Sequence, residues 1–199
     1  MSATTVIPLM PLNTVLFPGG YLPLRIFEQR YIDMVRECSA GNTCFGVCLV
    51  NTPQNGSPHA THMNTGTLAR IRDWSTLEGG LLGITAQGDQ RFVIQKTRIR
   101  DNGLLIAEVE MIDELETVEL PDQYSVLSLI AGRFMDKLGV NYPDFESRYL
   151  QDAAWVGYRL AELLPWENHE KQVLLQLGDP LERLQKLLEL LSGSQDTIQ

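Results

Sequence analysis

The sequence predicts an α+β fold in which a small β domain, barrel- or sandwich-like with one inserted helix, precedes an α-helical bundle. Three observations carry this. Up to about residue 112 the apolar residues fall in short runs separated by Pro- and Gly-containing turns. Beyond that point they recur at spacings of three and four. The charge changes at the same place: residues 1–112 hold nine Lys/Arg and nine Asp/Glu, whereas residues 113–199 hold seven and sixteen and so carry the whole net charge of −9. These features place a β subdomain over 1–115, a helical subdomain over 116–193 and a frayed polar tail over 194–199.

In chain order, Val6–Pro8 and Thr14–Phe17 read as short extended runs and Pro18-Gly19-Gly20 as a turn. Tyr21–Phe27 reads as a strand, with Leu22, Leu24 and Ile26 on one face and Tyr21, Arg25 and Phe27 on the other. Pro23 then requires a sheet edge or a bulge. A helix follows over about Glu28–Ser39, because Tyr31, Met34, Val35 and Cys38 share one helical face, and Gly41 is its expected stop. Phe45–Val50 reads as a buried strand and residues 51–64 as a loop. Thr65–Leu77, Leu81–Ala86, Arg91–Ile99 and Leu104–Ile112 read as further strands, the last two joined by an Asp101-Asn102-Gly103 hairpin turn.

The helical half begins near Pro121, where Tyr124, Leu127, Ala131, Phe134 and Leu138 form an apolar stripe. Asp152 is placed to cap a second helix with Trp155, Val156, Leu160 and Leu163 inward, ending before Pro165. Lys171–Leu177 forms most of a third, stopped by Gly178. In the last, Asp179 is the expected N-cap, Pro180 the first helical residue and Glu182 the capping-box partner, with Leu181, Leu184, Leu187, Leu188 and Leu191 along the apolar face and Gly193 at the end.

A hydrophobic content of 44% is enough to bury a sizeable core. The acidic balance repels phosphate backbones and disfavours broad nucleic-acid binding. No Lys or Arg precedes Arg25, and Pro8, Pro11, Pro18 and Pro23 interrupt the apolar N-terminal stretch, so an export signal is not expected. No apolar run is long enough for a transmembrane helix, and no membrane association is expected. The odd set Cys38, Cys44 and Cys48 offers no disulfide framework, which favours a reducing, cytoplasmic setting.

Few motifs carry chemistry. The Gly79-Gly80-Leu81-Leu82-Gly83 cluster lacks the Lys of a phosphate loop and reads as a turn. No nucleophile elbow or zinc-protease helix is present, no triad is visible, and no enzymatic activity or cofactor is expected. Cys38, Cys44, Cys48, His59 and His62 are zinc-type ligands, but their spacing is not that of paired Cys-x2-Cys knuckles, so core thiols and loop histidines are favoured and no metal is expected. His169 reads as a surface residue, and Glu114, Glu116, Glu119 and Asp122 as a solvated cluster at the domain junction. Arg70, Arg72, Arg91, Lys96, Arg98 and Arg100 alternate along two strands. They form either a basic face for an anion or RNA, or a solvated face neutralised by Asp73, Asp89 and Asp101, the favoured reading.

The stretch "IPLMPLNTVLFPGGYLPLRIFEQRYIDMV" resembles the start of the Lon-protease N-terminal domain family, closest to its small stand-alone bacterial members. "GTLARI", residues 66–71, is similar to the family's Gly-Thr-x-Ala-x-Ile strand, with Arg91-Phe92 where a following strand is expected. "LLPWENHEKQVLLQLGDPLERLQKLLELL" resembles its closing helices. The resemblance implies a β-barrel of the pseudouridine-synthase/archaeosine-transglycosylase (PUA-like) type with one inserted helix, followed by a helical bundle. In full-length Lon this domain helps to recognise polypeptide substrates and supports assembly, while separate ATPase and protease modules do the chemistry. The 199 residues are too few for those modules, so neither is expected among them.

The expectation is therefore a non-catalytic module or adaptor in protein quality control that binds unfolded or partner polypeptides, with its oligomeric state open. A PUA-like RNA-binding module is the alternative, by fold analogy. Candidate contact residues are Phe17, Tyr21, Arg25, Phe27, Glu28, Tyr31 and Trp74, since such a site needs an exposed apolar patch with a polar rim. Phe27 and Tyr31 lie four apart at a strand–helix junction, which favours mutual packing. Arg25 with Glu28, or Glu28 with Arg30, would form a local ion pair there.

Overall fold

The computed structural model describes residues 4–51, 61–114, 117–138 and 142–193. Contacts divide the chain into two compact units, Met1–Asp113 and Glu114–Gln199. The first holds a six-stranded mixed sheet and one helix, the second four helices, so the fold is α+β.

The N-terminal unit contains β1 (Thr5–Leu12), β2 (Tyr21–Ile26), α1 (Gln29–Gly41), β3 (Phe45–Asn51), β4 (Thr61–Thr76), β5 (Leu82–Ile99) and β6 (Leu105–Met111). The strand order is β2-β5-β4-β3-β1-β6, and β5 also pairs with β6, so five strands close into a ring of hydrogen-bonded neighbours with β2 attached to β5 alone. Among the described strands, β1 and β3 alone run parallel. β5 can serve both partners because it is long: its first half pairs with β2 and β4, its second half with β6.

Neighbouring residues divide between two apolar clusters. Met10, Val47 and Ile106 join the cluster that α1 covers with Met34, Val35 and Cys38. Leu9, Cys48 and Ala107, each one residue away, join Ile7, Phe92, Ile94 and Val109 in the other. Period-two alternation thus gives these strands two buried faces.

Several expectations shift. Thr14–Phe17 is a buried connection and not a strand, with Val15, Leu16 and Phe17 all in the core. The Pro18-Gly19 turn after it is held by Gly88: Gly19 N–H donates to the Gly88 carbonyl at 2.8 Å, and Gly88 N–H donates to the Gly20 carbonyl at 2.8 Å. The two runs 81–86 and 91–99 are one strand, β5, because pairing continues on both sides of Gly88. α1 ends at Asn42, which takes the left-handed conformation (φ 49°) expected of Gly41. The Gly79 and Gly80 turn does use positive φ, as its composition implies. Most of the expected 51–64 loop lies outside the described residues, as does the 194–199 tail.

The C-terminal unit contains α2 (Ser125–Leu138), α3 (Ala153–Leu163), α4 (Asn168–Gln176) and α5 (Pro180–Gly193). Asp152 caps α3, its Oδ1 accepting from Ala154 N–H at 2.8 Å and Trp155 N–H at 3.3 Å. Asp179 caps α5 through Leu181 N–H at 2.8 Å. α4 starts three residues before Lys171, where Glu167 N–H donates to the Glu170 carboxylate at 3.1 Å. α3 is buried over Val156–Ala161, Arg159 included, and so forms the centre of this unit. Arg183 of α5 is fully buried; it donates to the Leu174 carbonyl at 3.0 Å and to the Tyr158 hydroxyl at 3.2 Å, and its guanidinium lies 4.0 Å from the Tyr158 ring centroid. Among the described residues, no helix is long and apolar enough to cross a membrane.

Candidate functional site

The seven candidate contact residues fall in the N-terminal unit and have three fates. Phe17 is 0% exposed, so it is a core residue and cannot touch a partner. Its carbonyl abuts Gly88, where any side chain would collide with it. Tyr21 and Tyr31 are half-buried. The Tyr21 hydroxyl accepts from Gln87 Nε2 at 3.0 Å, and Gln87 Oε1 accepts from Arg72 Nε at 2.6 Å, a polar chain across β2, β5 and β4. Tyr31 packs against the α1-covered cluster, and the Arg30 guanidinium lies 4.8 Å from its ring centroid. Burial raises the Tyr31 hydroxyl above its ordinary range and keeps it protonated.

Phe27 and Trp74 are the exposed members, at 70% and 62%. The expected Phe27–Tyr31 packing does not shield Phe27. Ile26 takes the inward position of β2, so the next residue leaves the core, while Tyr31 is drawn to the helix's inner face. Trp74 pairs in register with Ile84, a core residue, but lies past the C-terminal end of α1. There it borders a concavity of about 230 Å³ lined by Ser39, Asn42 and Thr43 of the α1 end and by Arg72 and Asp73. That is smaller than a drug-sized ligand pocket, about 300 Å³ upward, and suits a single side chain. The register Ile26–Leu82–Thr76 sets Phe27, the 40%-exposed Leu81 and Leu77 at one end of the β2-β5-β4 section. Sequence reading missed Leu81 as a contact residue, since it stood at the passage from the glycine turn into the strand Leu81–Ala86; its place beside the end of β2 was the missing signal.

Charged groups rim this end. Arg25 is exposed and makes no ion pair among the described residues, whereas Glu28 pairs with Arg30 at 2.7 Å. Of the two ion pairs open at this junction, the structure therefore forms the second. Arg30 also donates to the Gly103 carbonyl at 3.0 Å, tying α1 to the β5–β6 hairpin.

The basic strand face is neutralised in part: of the expected partners Asp73, Asp89 and Asp101, Asp89 alone forms an ion pair with it among the described residues, and Arg72 bonds the neutral Gln87 amide. Arg70 pairs with Asp89 at 3.3 Å, Arg100 with Glu37 at 2.9 Å, and Lys96 lies opposite Glu108 in register. Arg91 is 1% exposed and contributes nothing to the surface. The RNA-binding alternative finds no support here. The zinc-type residues are not assembled either: Cys38 and Cys48 belong to different apolar clusters, and His59 lies outside the described residues. Among the described residues, no group of three or more His, Cys, Asp or Glu is placed to hold a metal ion.

Comparison with known proteins agrees with this architecture. The family model described as the ATP-dependent protease La (LON) substrate-binding domain matches residues 6–193. The Lon protease of Endomicrobium trichonymphae is 24% identical over 195 residues, covering 94% of this chain and 24% of that protein. The Lon protease of Dictyoglomus thermophilum is 28% identical over 192 residues, again 24% of its length. The chain thus spans about a quarter of the curated relatives it matches, and the match is to the substrate-binding domain, with no ATPase or protease domain found. The crystal structure of a Lon N-terminal domain protein from Xanthomonas campestris superposes with a TM-score of 0.77 at 38% identity, covering 93% of this chain and 98% of that one. The N-terminal domain of the Mycobacterium avium complex Lon protease, at 18% identity and a TM-score of 0.64, shares the fold. The sheet, the helices that follow it and these matches lead to one conclusion: the chain belongs to the ATP-dependent protease La (LON) substrate-binding domain family.

Proposed function

We propose that the chain is a non-catalytic polypeptide-binding module, an adaptor in bacterial protein quality control, that docks unfolded or partner polypeptides at the Phe27–Leu81–Trp74 end of its sheet. The observation that carries this is the pair of large aromatic side chains left 70% and 62% exposed, Phe27 in the connection between β2 and α1 and Trp74 on the exposed end of β4. Phe27 and Leu81, with Arg25, Glu28 and Arg30 beside them, fit the usual anatomy of an interface, a dry centre inside a polar rim, and Trp74 is a separate exposed contact beside Arg72 and Asp73. Tyr31, packed on the α1-covered cluster, anchors the helix that follows Phe27, whereas Tyr21 lies at the opposite end of β2, beside Gln87. In this reading the closed ring of strands is a PUA-like barrel with α1 inserted, the subdomain boundary falls at 115/116, and the module works in the cytoplasm without a cofactor.

The test is a titration of the intact chain with a fluorescein-labelled, reduced and carboxymethylated lactalbumin, an unfolded polypeptide. Phe27→Asp combined with Trp74→Asp is expected to weaken binding at least about tenfold, or about 1.4 kcal/mol, with the circular dichroism spectrum unchanged. Equal affinity of parent and double variant would overturn the proposal.

A further inference from the structure

A second surface lies in the C-terminal unit. The end of α4 and the start of α5 border a groove of about 500 Å³ whose floor is apolar: Tyr124, Val173, Leu177 and Leu181. Val173 is 43% exposed although its neighbours Leu174 and Leu175 are buried. Val173 on α4 and Leu177, the extended residue that follows the helix, both line the groove. The Tyr124 hydroxyl reaches Gln185 Oε1 at 3.5 Å, which fixes the ring beside α5.

The rim is acidic. Asp179, Glu182 and Glu189 line it, with Lys186 the one cation among the described residues that do, paired to Glu189 at 3.2 Å. Glu182, Lys186 and Glu189 follow helical spacing along α5, so the carboxylates flank the apolar floor lengthwise. The surrounding field has the same sign. Residues 113–199 carry sixteen acidic and seven basic side chains, and two of those cations, Arg159 and Arg183, are buried.

We infer that this groove binds a polypeptide segment whose apolar side chains are flanked by Lys or Arg. The apolar floor supplies burial, and the carboxylates supply charge complementarity that steers and orients the segment. The same charge disfavours two other occupants. A symmetric pairing of two copies through this groove would set acidic rim against acidic rim. An anionic lipid surface would be repelled.

The test uses the intact chain and two labelled peptides with a Leu-Phe-Leu centre, one flanked by lysines and the other by glutamates. The lysine peptide is expected to bind at least about tenfold more tightly, and its affinity is expected to fall with added salt. Val173→Lys, and separately Glu182→Lys with Glu189→Lys, are each expected to weaken it about tenfold. Phe27→Asp with Trp74→Asp is expected to leave it unchanged, which separates this groove from the sheet-end surface. If Val173→Lys loses helicity, the two peptides on the parent chain still decide the matter. Equal binding of the two peptides, no binding of either, or unchanged affinity in a folded Val173→Lys variant would overturn the inference. So would loss confined to the Phe27 and Trp74 variant. A dimer in sedimentation that Val173→Lys disperses would assign the groove to a second copy instead.

Discussion

Cys48 has no charged neighbour strong enough to offset its burial, and burial pushes its thiol from the ordinary 9.0 up to about 12. The folded chain therefore holds this proton more tightly than the unfolded chain does. The stability linked to it is complete below about pH 9 and is lost as the pH rises through about 12. Because the thiolate is the reactive form, Cys48 should resist iodoacetamide at about pH 8.5. The half-buried Cys44 should label first, and Cys48 only as urea unfolds the chain; peptide mass mapping reads this directly, and equal labelling of Cys48 with and without urea would refute it. The sequence placed Cys48 correctly, since it lies inside the continuous apolar run Phe45–Val50, which is buried on both faces. Gly88 was not legible in the same way. It lies inside β5 because the Phe17 carbonyl, seventy-one positions earlier in the chain, leaves no room for a side chain.

Helix ends were legible because their grammar is local. Asp152 precedes α3, and its carboxylate does accept the first free N–H groups. Asp152→Ala is expected to cost about 1 kcal/mol, read as a shift in the urea midpoint with an unchanged slope; no shift would mean that packing around α3 holds the helix start alone. Where the capping box was overlooked, as with Glu167 and Glu170 at the start of α4, Lys171–Leu177 gave most of the helix but not its first turn. Thr14–Phe17 looked like a strand because its residues are apolar and extended. It forms none because its backbone serves the core and the Gly88 turn instead: Thr67 Oγ1 donates to the Leu16 carbonyl at 2.7 Å, and the Phe17 carbonyl accepts from Gly20 N–H at 3.0 Å. Only the fold as a whole sets that competition.

At the scale of the molecule, the order of a β part and a helical part could be read from periodicity and charge, and the family from the N-terminal motif. Exposure could not. Phe17, Phe27 and Trp74 are equally apolar in sequence, yet one is in the core and two face solvent, because exposure depends on what long-range pairing brings over each face. The α4–α5 groove escaped notice for the same reason: the leucine stripe showed what α5 buries, not that α4 leaves Val173 exposed. Ring closure has one further consequence. A sheet that closes on itself offers no template for another chain, so β2, joined to β5 alone, remains as a free margin. Pro23, exposed at its middle, withholds an N–H from any strand that would extend it. It thereby acts as a guard against polymerisation at the margin next to the exposed Phe27. Pro23→Val is expected to shift the chain from a single light-scattering species towards higher-mass assemblies at high concentration; an unchanged mass would show that the margin is protected some other way.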